Sequence, residues 1–370
     1  MKDKSASQLL AENNIKQFPG VEEIQIVTEN LSTIKPEKVE WIWQDILAKG
    51  KITLFAGEPG VGKSQLLLYI ASVLSNGGKF HFAKTNVPVS KVLLIAGEDK
   101  MSDTVIPRLK ALGADIGNIE HIKGIRRVDK NKRDYYEPIS LDSHIADLED
   151  IIIKGGYSAV IIDPISSYLG SADESRNKEI RAILAQITAV CERNNLIAIL
   201  NSHFNKPSGN MAKGAIYRVM GSIGFAAAAR IVYAVVKDPD EKSRRLLIPI
   251  KNNIAQDENG FAYNIKLTNV QCEDFEISIG KVEWLNEIVT RSANEILNTT
   301  LESVPAKLNE AQDFLLTLLK EGSVPVSKIR QLAEEQGISI GRLYAAKDAL
   351  KIYEDSNPVS KRGKLWMLPA

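Results

Sequence analysis

Cysteine, histidine and long apolar runs are scarce in this chain, and each scarcity excludes something. Its 370 residues include only 2 cysteines and 4 histidines. Cys191 and Cys272 are too few and too far apart for a disulfide framework or a four-cysteine zinc site, so buried thiols in a reducing compartment are expected. No apolar run approaches the ~20 residues that span a bilayer; Val219 to Ala229 stops at Arg230. The opening MKDKSASQLLAENN lacks the apolar stretch of a secretory signal. A cytoplasmic protein with no membrane partner is the expectation. An excess of one charge is also missing, with 47 Lys+Arg against 46 Asp+Glu and a net charge of +1. That excludes a globally basic coat and leaves any nucleic-acid contact to local loops and patches. No internal repeat or low-complexity tract is present.

What remains is an ordinary globular composition, 44% hydrophobic and 25% charged, at a length that suits a large core domain plus a small one. Residues 1–35 are polar and weakly patterned and read as an arm. From Lys51 onward, KITLFAG, KVLLIAGED, YSAVIID and NLIAILNSH read as buried strands. Between them, 63–74, 104–112, 143–154 and 178–194 read as helices. Strand and helix alternating in this order predict an α/β core with a mostly parallel sheet covered on both faces. Residues 230–236 and 244–249 then read as an antiparallel pair, extended by 261–267 and 275–279. The sheet signals stop near 288. Residues 289–307 read as a helix and linker, and 308–370 as a small C-terminal unit. Helices over 311–319, 326–335 and 339–350, with Ser339 as N-cap, precede the basic turn of SKRGKLWMLP. That outline is winged-helix-like.

Gly57-Glu58-Pro59-Gly60-Val61-Gly62-Lys63-Ser64 matches the P-loop pattern between an apolar strand and a helix. Its backbone N–H groups would wrap a phosphate at the positive end of that helix, which begins Lys63-Ser64-Gln65. Lys63 would reach the β/γ-phosphates of ATP, and Ser64 would hold Mg²⁺. Asp163, ending the strand AVIID, is placed to hold Mg²⁺ directly or through water. Glu98, ending KVLLIAGE, is the candidate to orient the attacking water. Its neighbour Asp99 reads either as a second acid or as a helix N-cap. His203, in the polar block after the next apolar strand, is the candidate γ-phosphate sensor.

In this order the pieces resemble the RecA-like ATPases of mobile elements, the RepA-like hexameric replicative helicases of plasmids and integrated islands. The likeness runs over about 36–253 and rests on VIIDPISSYLGSADESRN, NSHFNK, GSIGFAAAAR and IPIKNN as much as on the P-loop. It implies a RecA-like P-loop NTPase core over 36–288, a homo-hexamer, and ATP bound between subunits. Arg230 becomes the candidate arginine finger acting on a neighbour, with a sheet-edge salt bridge as its alternative role. Lys251 becomes a second trans cation. Asn253 stands where DnaB-like helicases carry a trans arginine, which shifts weight to Arg230. The resemblance also implies loops that grip single-stranded DNA, here Lys206, Lys213 and Arg218 with Tyr217 for stacking. A solvated loop is the alternative. A primase or replication initiator is a further expected partner, and the C-terminal unit serves either duplex DNA or protein docking. Two functions follow: a ring motor that unwinds DNA, or a nucleotide-switched regulator or loader that does not.

Overall fold

Consecutive apolar residues make strands that are buried on both faces, and here they form the centre of one large sheet. The computed structural model describes residues 28–129, 131–170, 177–204, 215–218, 223–256, 259–320, 322–356 and 364–369. The chain divides into residues 1–39 and 40–370. In the first unit, a 3-10 turn over Leu31–Thr33 is capped by Asn30, whose side chain accepts from the Ser32 N–H at 3.0 Å.

The second unit begins with a ribbon of β1 (Trp41–Trp43) and β2 (Leu47–Ala48) and enters β3 (Ile52–Gly57). Helix α1 (Lys63–Asn76), β4 (Lys91–Ala96), a π turn (Met101–Val105), α2 (Ile106–Ala111) and β5 (Ile119–His121) follow. A separate hairpin of β6 (Ile125–Val128) and β7 (Asp134–Glu137) leads to α3 (Ile145–Gly155), β8 (Tyr157–Asp163), α4 (Asn177–Asn194) and β9 (Ile197–His203). Then come α5 (Ile223–Ala228), β10 (Ile231–Lys237), β11 (Arg244–Asn252), β12 (Gly260–Cys272) and β13 (Phe275–Val289).

Nine of these strands lie in the order β13-β12-β11-β10-β3-β9-β8-β4-β5. Neighbours from β10 through β5 are parallel, and β10 through β13 are antiparallel. The expected mostly parallel core is present. Side chains alternate between its two faces as a period of two requires. Ile52, Leu54 and Ala56 of β3 face one apolar cluster with α3 and α4. Phe55 faces the other, with Leu66 and Ile70 of α1.

After β13 the structure departs from the expected linker. Residues 293–319 form one helix, α6 (Ala293–Leu319), opened by a capping box in which Ser292 and Glu295 satisfy each other's backbone N–H groups. Ala293, Ile296 and Leu297 belong to the main core, whereas Ala311, Leu315 and Leu319 belong to a second apolar cluster. A continuous helix therefore crosses the expected boundary because each end has its own core to pack on. The tail continues through β14 (Val324–Pro325), α7 (Val326–Glu335), α8 (Ile340–Ala349), β15 (Tyr353–Ser356) and β16 (Lys364–Met367). The last two strands and β14 form a three-stranded sheet in the order β14-β16-β15. Ser339 occupies the N-cap of α8, but its side chain makes no capping bond; it accepts from Arg342 Nε at 3.3 Å instead.

A chain ending at Pro305 keeps every α6 residue that packs in the main core. It should stay folded and hydrolyse ATP at the full-length rate, measured by circular dichroism and phosphate release. An insoluble product would place the tail cluster inside the main folding unit.

Candidate functional site

Register brings the site together. In the parallel pairing Gly57 lies opposite His203, and Ala96, two residues before Glu98, lies opposite Asp163. The C-terminal ends of β3, β9, β8 and β4 thus share one edge of the sheet. Ser64, Glu98 and Asp163 line a single cleft there with Leu67 and Ala96.

The loop geometry explains its glycines. A Cβ on Gly57 would sit 2.2 Å from the Val235 carbonyl oxygen, so β10 can approach this strand end only where no side chain exists. Gly62 has φ +99°, the left-handed region, and a Cβ there would meet Ile265 of β12 at 2.5 Å. Glu58, Pro59 and Gly60 are exposed, and Val61 is buried against the α1 side of the sheet. The first-turn N–H groups of α1 have no intrahelical acceptor, as at any helix start, and supply donors for an anion.

Lys63 is buried, with its Nζ donating to the carbonyls of Gly57 and Glu58 at 2.9 Å each and lying 3.3 Å from His203 Nδ1. Burial pulls its pKa down to about 8, against the pull of Asp163, Glu98 and Glu58 toward the charged form. An ammonium can only donate, so in this contact His203 Nδ1 accepts and the ring proton sits on Nε2. Burial, then the Lys63 charge, lowers the His203 pKa and so favours the neutral imidazole.

Two further residues belong here that the sequence reading did not single out. Asn201 is buried, and its Nδ2 donates to Asp163 Oδ1. Its own Oδ1 is buried without a hydrogen-bond partner. Alternation along β9 puts Asn201 on the same side as His203, and that spacing was a usable signal. Tyr168 follows β8 in a 3-10 turn (Ile165–Tyr168). Its Oη lies 2.9 Å from where a Cβ on Gly97 would stand, and burial, then Asp163 and Glu98, raises its pKa. Nothing local in the sequence marks it.

Several expectations move. Gln65 lies roughly 200° round the helix from Lys63 and is turned away from the loop. With its amide oriented for bonding, it donates to the Gly280 carbonyl at 3.0 Å and accepts from Arg108 at 2.9 Å. Asp99 is not an N-cap; it pairs with Arg108 at 2.5 Å, and the cap position falls to Lys100. Lys251 and Arg230 sit together at the opposite edge of the sheet. Ile231 lies beside Thr53, so Arg230 is about 15 Å of strand away from Gly57. Lys251 Nζ donates to the Ala229 carbonyl at 2.7 Å, and burial with the nearby Arg230 charge lowers its pKa. Neither cation reaches its own P-loop. Lys206 and Lys213 lie outside the described residues, and Arg218 closes the 3-10 turn Ala215–Arg218. In the tail, Lys347 and Lys364 both hydrogen-bond Glu354, and Arg342 donates to the Gly337 carbonyl at 2.9 Å.

Among the described residues no group of three His, Cys, Asp or Glu side chains could hold a metal by itself. Ser64 with Asp163, and the orphaned Asn201 oxygen beside it, fit a hydrated Mg²⁺ completed by phosphate oxygens, the usual habit of that ion. No helix among them is long and apolar enough to cross a membrane.

A family profile described as AAA domain matches residues 20–209, just over half of the chain. The chain is 27% identical to the DNA repair protein RadA of Aquifex aeolicus (strain VF5) over 163 residues, 43% of this chain and 30% of that protein. It is 29% identical to the DNA repair protein RadA of Chlamydia muridarum (strain MoPn / Nigg) over 164 residues, 44% of this chain and 30% of that one. The aligned segment spans under a third of the length of these curated relatives.

The Lys63 shift has a pH consequence. Between about 8 and the ordinary value of 10.5 the unfolded chain binds a proton that the folded chain does not. This group's contribution to stability therefore rises with pH across that window. Phosphate binding needs the ammonium, so ATP affinity should fall as pH rises above about 8, with proton uptake on binding. Calorimetry in buffers of different ionisation enthalpy measures that uptake; a pH-independent affinity from 7 to 9.5 would refute the lysine–phosphate contact.

Proposed function

The chain belongs to the AAA-domain family and is a RecA-like P-loop ATPase, and from that premise we propose a ring motor that hydrolyses ATP on DNA. The finer reading is a hexameric replicative helicase of a plasmid or mobile element, like the RepA family. The observation that carries it is the position of Arg230 and Lys251. Both cations lie at the sheet edge away from their own P-loop, a position that suits contact with a neighbouring subunit's nucleotide.

The chemistry follows from the side chains. Lys63 and the α1 N–H groups neutralise the β/γ-phosphates, and Ser64 and Asp163 would hold Mg²⁺, which would supply further neutralisation of phosphate charge. Asn201 keeps Asp163 oriented. Glu98, exposed at the mouth of the cleft, takes the proton of the attacking water. Neutral His203, touching Lys63, donates from Nε2 when a γ-phosphate is present. Lys206, Lys213 and Arg218 track single-stranded DNA, and a primase or initiator docks beside the ring. The similarity to DNA repair proteins favours a second reading, a nucleotide-switched DNA-binding protein that does not unwind.

Glu98→Gln should bind ATP as the wild type does and hydrolyse it about 10²–10⁴-fold more slowly; loss of binding with normal turnover would make Glu98 structural. Arg230→Ala should bind ATP and hydrolyse it far more slowly, since a trans arginine contributes about 10³–10⁵ in rate in other NTPases. Mixing Arg230→Ala with Lys63→Ala should restore part of the activity, because some interfaces then combine an intact P-loop with an intact arginine. Absence of recovery in proven mixed assemblies would rule out shared sites. A strand-displacement assay on a forked duplex separates the motor from the switch.

A further inference from the structure

The hairpin β6–β7 stands apart from the central sheet as its own two-stranded ribbon. An isolated ribbon is marginal in water, yet this one is held at both ends. At its tip, Asp129 Oδ1 accepts from the N–H groups of Asn131 and Arg133 at 2.8 Å each. At its base, the chain after β7 is tied to the turn after β8 by the Leu141 N–H donating to the Tyr168 carbonyl, and the register from Ile125↔Glu137 to Val128↔Asp134 is regular. It issues from the end of β5, which runs parallel to β4, so it rises from the same sheet edge as the P-loop.

Its surface is locally basic. Residues 123–137, KGIRRVDKNKRDYYE, carry six Lys or Arg against three Asp or Glu, although the whole chain is nearly neutral at +1. Tyr135 and Tyr136 are 46% and 44% exposed. Cross-strand pairing puts Arg127 beside Tyr135 and Arg126 beside Tyr136, and Lys123 Nζ lies 4.2 Å from the Tyr136 ring centre. Each ribbon face therefore presents one aromatic ring flanked by cations. Arg126 pairs with Asp134 and Arg127 with Glu137, both at 3.0 Å and both exposed. Exposed pairs of this kind are weak and exchange readily for phosphate.

The ribbon is also wired to the carboxylates. Residues following β7 meet the turn after β8, where the Leu141 N–H donates to the Tyr168 carbonyl at 2.7 Å. Tyr168 Oη lies only 2.9 Å from where a Cβ on Gly97 would stand, next to Glu98. Lys123, Tyr136, Gly97 and Tyr168 line one cavity between ribbon and sheet edge.

We infer that the β6–β7 hairpin is a single-stranded DNA-binding element around which the strand passes, with one base stacking on Tyr135 on one face and another on Tyr136 on the opposite face, phosphates on Lys123, Arg126, Arg127 and Lys132, and occupancy coupled to the ATP site through Tyr168. The inference rests on the DNA-motor reading and adds a contact separate from Lys206, Lys213 and Arg218. Interleaved cations and exposed aromatic rings favour a strand of stacked bases over an acidic protein, which would need the cations alone.

The test uses the full chain with a fluorescently labelled oligothymidylate, read by anisotropy, and ATP turnover with and without it. Tyr135→Leu and Tyr136→Leu should each weaken binding about five-fold or more. Together they should abolish DNA stimulation while the DNA-free rate stays at the wild-type level, which also certifies folding. Lys132→Ala should lower the salt dependence of binding by about 0.7 of a log unit per log unit. Wild-type affinity and stimulation in the double tyrosine variant would overturn the hairpin site and leave the motor reading standing. A wild-type chain that hydrolyses ATP but binds no oligonucleotide would defeat the motor reading first. Displacement of the DNA by polyglutamate, unaffected by the tyrosine changes, would mark a charge-only surface and overturn the stacking site.

Discussion

A single buried ammonium organises the catalytic edge. Lys63 loses most of its water, and burial of a charge is unfavourable unless other groups replace that water. Two loop carbonyls, the His203 ring and the fields of Asp163, Glu98 and Glu58 do so. Each compensating group comes from a different strand end or from the loop. Their placement requires that β3, β9, β8 and β4 end in register. The lysine and the sheet thus depend on one another. A one-residue slip in β8 or β9 would move Asp163 or His203 to the other face.

The same edge is buttressed from the side of α1. The long ribbon β12–β13 crosses over that helix, with Ile265 against Gly62 and the Gly280 carbonyl bonded to Gln65. Beneath it, Trp43 stacks on Phe80 at 4.7 Å and meets Trp284 edge-on at 5.5 Å, while His81 stacks on Trp284 at 5.0 Å. His81 Nε2 bonds the Leu285 carbonyl at 2.9 Å. These rings join the first ribbon, α1 and the last sheet strands into one block. The P-loop helix is therefore held on its outer side by packing as well as by the strand that feeds it.

The two ends of the parallel strands differ in chemistry. Phosphate chemistry gathers at the C-terminal ends of the parallel strands, and Arg230 with Lys251 gathers at the other end. From β10 to β5 the strands are parallel, so Arg230 stands before β10; β11 runs antiparallel to β10, which brings Lys251, near its C-terminal end, back to the same place. A residue before a strand and a residue after it are then separated by the full strand length. That geometry keeps the two cations away from the P-loop of their own chain.

Local chemistry made much of this legible in the sequence. Gly57 to Ser64, the apolar runs of β3, β4, β8 and β9, and the acids Glu98 and Asp163 at strand ends are each encoded within a few adjacent residues. Those signals suffice for a mostly parallel α/β core with a phosphate-binding edge. Tertiary structure decided the remainder. Asn201 gained its role from the neighbouring strand that carries Asp163, and Tyr168 from folding back on Gly97. Gln65 was drawn from the loop by Gly280 and Arg108, and Asp99 was taken by Arg108 rather than by a helix terminus. Helix α6 ran through the expected linker because apolar clusters waited at both of its ends. The hairpin over 125–137 was missed because its strands are short, polar and unpaired with the main sheet. In each case the deciding partner is distant in sequence or owes its effect to register, and only the folded chain fixes which partner that is.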